Sequence, residues 1–307
     1  MTMDRRRFLE VSAAATAAAL LPWGAAASSK PPSKVWEIRG APRDAVRSLM
    51  AALGGFKSLA GIDAAAATVL IKPNLCLPHP AGQATASSSE MIEAVCAETA
   101  SAGARRITVA DHTLQKAASF KGAEFMRISE RYPAARIVLA DDQRLYEPVQ
   151  VPGKVLKKTE ILKLALRSDL TINLATAKHH AATEVSLATK NLMGLVWDRA
   201  EFHTKMDLSQ AIGDLALAFR PHLSIVDASR VLLTGGPTGP GKIIEDGCIY
   251  ASLDMIALDA VVASRYSFAG RTVSPEDVAH LRAAHQNGAG EIDLEKISVE
   301  RIEAGTK

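Results

Sequence analysis

Cysteine is scarce in this chain of 307 residues: Cys76, Cys96 and Cys248 are the only three, and none belongs to a C-x-x-C pair. A self-contained iron–sulfur cluster held by four thiolates is thereby excluded. An odd number of thiols cannot all pair internally, which leaves room for one disulfide in an oxidising compartment. Cys96 falls on an apolar helix face and reads as simply buried. No G-x-S-x-G elbow and no H-E-x-x-H pair occurs, so the corresponding hydrolase templates find no match. Neither sign of charge dominates, with 36 Lys and Arg against 33 Asp and Glu, and no basic face for nucleic acid is implied. Internal repeats and long low-complexity linkers are absent as well. Gly236-Pro-Thr-Gly-Pro-Gly241-Lys242 has the letters of a phosphate-binding loop, but Ile243 replaces the hydroxyl that would hold magnesium. Pro237 and Pro240 also remove amide donors, so the segment reads as a rigid loop able to close over a neighbouring site.

Long apolar runs are missing too. The longest near the amino terminus, Val11 to Leu21, spans about eleven residues against the roughly 20 that a membrane-crossing helix needs. It follows Arg5-Arg6-Arg7-Phe8-Leu9 and precedes Ala25-Ala26-Ala27, the order of a charged region, an apolar region and a small-residue cleavage site. Residues 1–27 therefore read as a twin-arginine signal peptide, cut after Ala27, with the twin-arginine export machinery as first partner. The remaining protein, residues 28–307, is expected in the periplasm or otherwise exported, with no membrane association after cleavage. Its loss of three arginines against Asp4 and Glu10 moves the formal net charge from +3 to +2. The pathway carries proteins already folded, often around a cofactor inserted inside the cell.

The rest alternates short β-branched runs with helical patterns and is long enough for one large domain or two lobes. Strands are expected at Ala67–Lys72, Arg106–Asp111, Arg136–Ala140, Leu170–Leu174 and Leu223–Asp227. A helix opened by a capping box of Ser87 and Glu90 follows the first, with Ile92, Val95, Cys96 and Thr99 on its buried face and Gly103 closing it. Another spans Asp207 to Phe219. Strand, helix and strand in this order predict an α/β fold: an open, mostly parallel, doubly wound sheet with helices on both faces. Ligands of such sheets bind beyond the carboxyl ends of the strands. Lys72 and Asn74, Asp111 and His112, Lys178 to His180, and Asp227 are all expected on that rim.

The stretch from Asn173 to His180 leaves a strand and leads into Thr183–Val196, read as a helix with Val185, Ala188, Leu192 and Leu195 on its apolar face. Thr183, Ser186 and Lys190 then line up on another face. Lysine and histidine just before a helix amino terminus, with a second lysine along it, form a site for phosphate or carboxylate. Histidine also allows a metal: His180 and His203 are the candidate ligands, with Asp198, Glu201 and Asp207 nearby in sequence, although the spacing matches no specific metal motif.

Lys72-Pro73-Asn74, Asn173 followed by Lys178-x-His180, Ser186, Lys190-Asn191-x-x-Gly194 and the closing Ser252-Leu-Asp254 to Asp259-Ala-Val-Val together resemble the family catalogued as domain of unknown function 362. The resemblance extends through Gly288 to Ile297 and so covers most of residues 28–307. It implies no settled reaction. Some members carry fused ferredoxin-type modules, which this chain lacks, so an electron-transfer role is not carried over; some carry export signals. Where the family often has Pro-Lys, this chain has Ala175-Thr176. A more distant similarity in lysine and histidine use links it to the catalytic subunit of lactate racemase.

Two functional readings follow. In the first, the protein is an exported enzyme acting on a small anionic molecule, with a metal ion or organic cofactor possible. Lys178 and Lys190 hold the anion, His180 serves as acid/base or metal ligand, and Asp111 or Asp227 orients it, while Lys72, Asn74, Ser186 and Asn191 complete the binding site. In the second, the same rim belongs to a non-catalytic protein that captures a metal or anion and passes it to a partner. Replacing Arg5 and Arg6 by Lys is expected to trap the precursor in the cytoplasm. Undiminished export of the double variant in a fractionation assay would overturn the signal assignment.

Overall fold

Runs such as TVLIK and RITVAD combine β-branched side chains with almost no polar ones, the composition of strands covered on both faces. Both lie inside one large sheet. The computed structural model describes residues 32–305 apart from 62, 63 and 116, so the arginine pair, apolar run and cleavage pattern of residues 1–27 lie outside the described residues. From Ser33 onward the chain is one compact unit. Among the described residues no helix is long and apolar enough to cross a membrane.

In chain order the strands are β1 (Ser33–Arg39), β2 (Thr68–Lys72), β3 (Arg106–Asp111), β4 (Ala135–Leu139), β5 (Tyr146–Gln150) and β6 (Lys158–Leu162). They continue as β7 (Leu170–His180), β8 (Glu184–Ser186), β9 (Leu223–Leu232), β10 (Ile243–Ser252) and β11 (Ile297–Glu303). The main sheet has the order β11-β1-β10-β9-β7-β2-β3-β4, with β8 added to β7, while β5 and β6 form a separate antiparallel ribbon. From β9 to β4 every neighbouring pair is parallel. On the other side β10 runs antiparallel to β9 and β1, and β11 pairs parallel with β1.

Because successive strand residues face opposite ways, the sheet builds a core on each side. Val69, Ile71, Ile107, Val109, Ile172 and Ile225 pack against helix α1 (Pro42–Ala52) and helix α2 (Ser89–Ser101). Leu70, Ala110, Ala175, Val226 and Tyr250 belong to the second core. It is covered by α4 (Leu208–Ala218), α5 (Met255–Arg265) and α6 (Ala279–Gln286), with the single turn α3 (Ala188–Asn191) beside them. The expected α/β fold, mostly parallel and covered on both faces, is therefore the one observed. The strand and helix expected at Arg106–Asp111 and Asp207–Phe219 recur almost unchanged, the latter with Asp207 as N-cap accepting from the Gln210 amide.

Three local expectations need correction. Strand β7 does not stop at Leu174 but runs to His180, because β8 and β9 both supply it with ladder partners beyond that point. Thr183–Val196 is not one helix: Glu184 sits at φ +63°, the segment pairs back on β7 as β8, and only one turn of α-helix and one of 3₁₀-helix follow. The cap of α2 is Ser88, whose Oγ accepts from the Met91 amide. Ser87 instead ties the Asn74 amide to the Leu174 carbonyl.

Helices α4 and α6 approach closely at Gly213, where an added Cβ would lie 2.7 Å from Ala283 Cβ and 2.8 Å from the Ala284 nitrogen. Gly213→Val is therefore expected to destabilise the protein by roughly 1–3 kcal/mol through overpacking. A urea titration should show the midpoint falling at constant slope; an unchanged midpoint would contradict this packing.

Candidate functional site

The order of the parallel strands contains a reversal. From β2 the chain proceeds to β3 and β4 in one direction with α2 on one face, then returns to β7 on the opposite side of β2 and continues to β9 with α4 on the other face. The connections leaving β2 and β7 thus part at their carboxyl ends, which is where an open α/β sheet leaves a crevice. A cavity of about 420 Å³ occupies this place. Its wall includes Lys72, Asn74, Cys76, Asp111, Lys178, His180, Ser186, Lys190, Asn191 and Arg199. Residues more than a hundred positions apart in sequence therefore meet here, including eight of the nine rim residues expected from the sequence as catalytic or ligand-binding groups.

The floor is a buried ion pair. Lys72 is 1% exposed, and its ammonium gives its three hydrogens to Asp111 Oδ1 at 2.8 Å, the Pro73 carbonyl at 2.7 Å and Asn191 Oδ1 at 3.0 Å. Burial still pulls the Lys72 pKa down, against the attraction of Asp111. Asp111 also accepts from the amides of Leu75 at 2.6 Å and His112 at 3.0 Å. Asn191 donates to Asn173 Oδ1 at 2.8 Å, and Asn173 donates to the Ala188 carbonyl at 2.9 Å. A Cβ on Gly194 would stand 2.0 Å from Asp111 Oδ1 and 2.6 Å from Lys72 Nζ, so only glycine lets this turn pass over the pair. Turn α3 is held from behind by Asp259, whose carboxylate accepts from the amides of Ala188 and Thr189 at 2.9 and 2.7 Å. Burial raises the Asp259 pKa to about 7.

Above this floor the cavity is cationic. Lys178 donates to the Thr85 carbonyl at 2.5 Å, and Lys190 has Met193 Sδ at 2.8 Å. Burial lowers both lysines to about 8, and each is pushed further down by neighbouring cations. Arg199, which no sequence motif marked, reaches the site through hydrogen bonds to the carbonyls of His112 at 3.0 Å and Thr113 at 3.2 Å. His180 Nδ1 accepts from the Ala182 amide at 3.1 Å, which leaves the proton of the neutral ring on Nε2. Burial, with Lys190 and Lys178 behind it, drives this ring down to about 3. Pro237 of the Gly236–Lys242 loop also lines the cavity, and the Gly236 amide donates to His179 Nδ1 at 3.1 Å.

One sequence assignment changes its place. Asp227 is not on the cavity wall: β9 runs five residues past it, and its carboxylate is taken by the Ser229 amide and hydroxyl at 2.9 and 2.6 Å. His180 and His203 both line the cavity, and among the described residues no group of three or more His, Cys, Asp or Glu gathers there. His203 lines the mouth, but Asp198 bonds the Glu201 amide, Glu201 pairs with Lys205, and Asp207 caps α4. A metal-bound histidine normally donates from its second ring nitrogen, whereas here that nitrogen of His180 accepts. All three cysteines are free, so the disulfide left open by the sequence does not form; Cys96 is buried on α2 as expected, its thiol pushed up to about 12.

Removing one partner of the floor strands the other charge in the interior. Asp111→Ala is expected to cost roughly 3–5 kcal/mol of stability. Chemical denaturation measures it, and a loss below about 1 kcal/mol would show that the pair contributes little.

Comparison with known proteins places this geometry in context. A curated relative, Thylakoid-associated protein sll1697 of Synechocystis sp., is 26% identical over 215 residues, which is 63% of this chain and 61% of that protein. Among solved structures, the lactate racemase apoprotein of Thermoanaerobacterium thermosaccharolyticum is similar with a TM-score of 0.47 at 14% identity, over 80% of this chain and 60% of the other. The chain thus spans about 60% of the length of each. Residues 69–264, the stretch that carries every wall residue named above, match one family throughout, and the chain belongs to the family described as Domain of unknown function (DUF362).

Proposed function

We propose that this protein is an exported enzyme whose switch-point cavity binds a small anionic substrate. The observation that carries the reading is charge: Lys72, Lys178, Lys190 and Arg199 line the cavity, and among the described residues the one carboxylate on its wall, Asp111, is already committed to Lys72 and two amides. An anion entering this space meets unspent positive charge and the His180 Nε2–H. Its volume of about 420 Å³ suits a small molecule.

Catalysis is favoured over simple capture by the state of the lysines. A receptor for anions works best with permanently charged groups, yet Lys178 and Lys190 are lowered to about 8, where an amine both gives and takes protons near neutral pH. Asn74 and Ser186 supply neutral hydrogen-bonding groups on the same wall. The export half of the proposal rests on the arginine pair, the short apolar run and the alanine pattern of residues 1–27.

Isothermal titration with acetate, lactate, pyruvate and inorganic phosphate tests the binding step. Lys178→Met is expected to weaken the best ligand by about 10- to 100-fold, the loss of one charge-assisted hydrogen bond. Affinity should fall as pH rises through about 8, because the lysines then lose their protons. Stability should move the other way. With folded pKa values near 8 against 10.5 unfolded, the unfolded chain holds more protons in that window, so the ligand-free protein gains stability as pH climbs from about 8 to 10.5. No anion binding at any pH, or binding of divalent metal that His180→Ala abolishes, would overturn the proposal.

A further inference from the structure

The three buried lysines of the cavity differ in what their nitrogens meet. Lys72 has three oxygen acceptors and Lys178 has the Thr85 carbonyl, whereas the neighbour of Lys190 Nζ is the thioether of Met193, a weak acceptor. Lys190 is 8% exposed. The turn that presents it, α3, is held by Asp259 at its start and by the Asn191–Asn173 hydrogen bond at its end. Lys178 and Arg199 add repulsion. An ammonium so placed meets a thioether where Lys72 and Lys178 meet oxygens, while a neutral amine keeps a free lone pair at the cavity wall. On a rigid turn, at the wall of a cavity whose other cations take a carboxylate, that amine is a nucleophile.

We propose that Lys190 forms a Schiff base with a short oxo acid, a carboxylate bearing a ketone or aldehyde on the adjacent carbon. This rests on the anion-binding reading above: Lys178, Arg199 and the His180 Nε2–H take the carboxylate and turn the carbonyl carbon toward Lys190. Leu114, Met193 and Pro237 leave apolar room for a short alkyl group. The amine lone pair makes the new N–C bond as the carbonyl π pair moves to oxygen. Both amine hydrogens then leave with that oxygen as water, and one proton from solvent converts the resulting C=N bond to an iminium. Nothing is oxidised or reduced.

The test is reductive trapping on the full chain. Protein is incubated with pyruvate and sodium borohydride, then analysed by intact mass and peptide mapping, while titration with pyruvate and with lactate, which has the carboxylate but no carbonyl, reports anion binding separately. The expected result is one reduced adduct per chain at Lys190, suppressed by excess lactate and lost in Lys190→Met and Lys190→Arg. Should either variant fail to fold by circular dichroism, the wild-type peptide map decides alone. Binding of both acids without an adduct, or an adduct spread equally over other lysines, overturns the Schiff base and leaves the anion site intact. Failure of both acids to bind overturns the anion reading and this inference with it.

Discussion

The contact between Lys72 and Asp111 is the constraint around which the rest of the site is arranged. Two opposite charges taken out of water at the ends of adjacent strands are stable only if every remaining donor and acceptor finds a partner. Here they do: the Pro73 carbonyl and Asn191 complete the lysine, and the amides of Leu75 and His112 complete the carboxylate. Those partners come from the exits of β2 and β3 and from α3, so satisfying the pair also fixes the relative positions of three segments. The close passage of Gly194 follows from the same contact, because any side chain there would enter the space of both charges.

The pair also sets the electrostatics of what lies above it. By consuming the carboxylate of the wall, Lys72 leaves Lys178, Lys190 and Arg199 without a matching negative charge. Lys178 and Lys190 are each brought to about 8, first by burial and then by cations, Lys72 acting on Lys178, and Lys178 and Arg199 on Lys190. A buried acid on the opposite side, Asp259, is spent on the amides of α3 and does not relieve it. The cavity therefore holds more cationic groups than carboxylates among the described residues, and this excess is what supports the proposed anion site.

Much of the fold was legible because it rests on local rules. Periodicity and β-branching located β2, β3 and the starts of β7 and β9, and the helical pattern of Asp207–Phe219 located α4, since each depends on residues within a turn or two. The switch from strand to helix after His180 was not legible in the same way. Val185, Ala188, Leu192 and Leu195 keep helical spacing, but pairing with Lys178–His180, four to eight residues back, draws Glu184–Ser186 into a ladder instead. Asp227 misled for a related reason: where a strand ends depends on how long its neighbours continue to pair with it, and β10 carries β9 on to Leu232.

By itself, the sequence determined which residue types stand at the strand ends and that parallel strands direct them to one rim. That sufficed to gather Lys72, Asn74, Asp111, Lys178, His180, Ser186, Lys190 and Asn191 at one cavity. Tertiary structure decided what each could do there. Whether a lysine is paired, tethered or nearly without acceptors, and which nitrogen of His180 carries the proton, depends on carbonyls and amides such as those of Thr85, Pro73 and Ala182. These groups are present in every residue, so the sequence of side chains leaves no mark of where the fold will aim them.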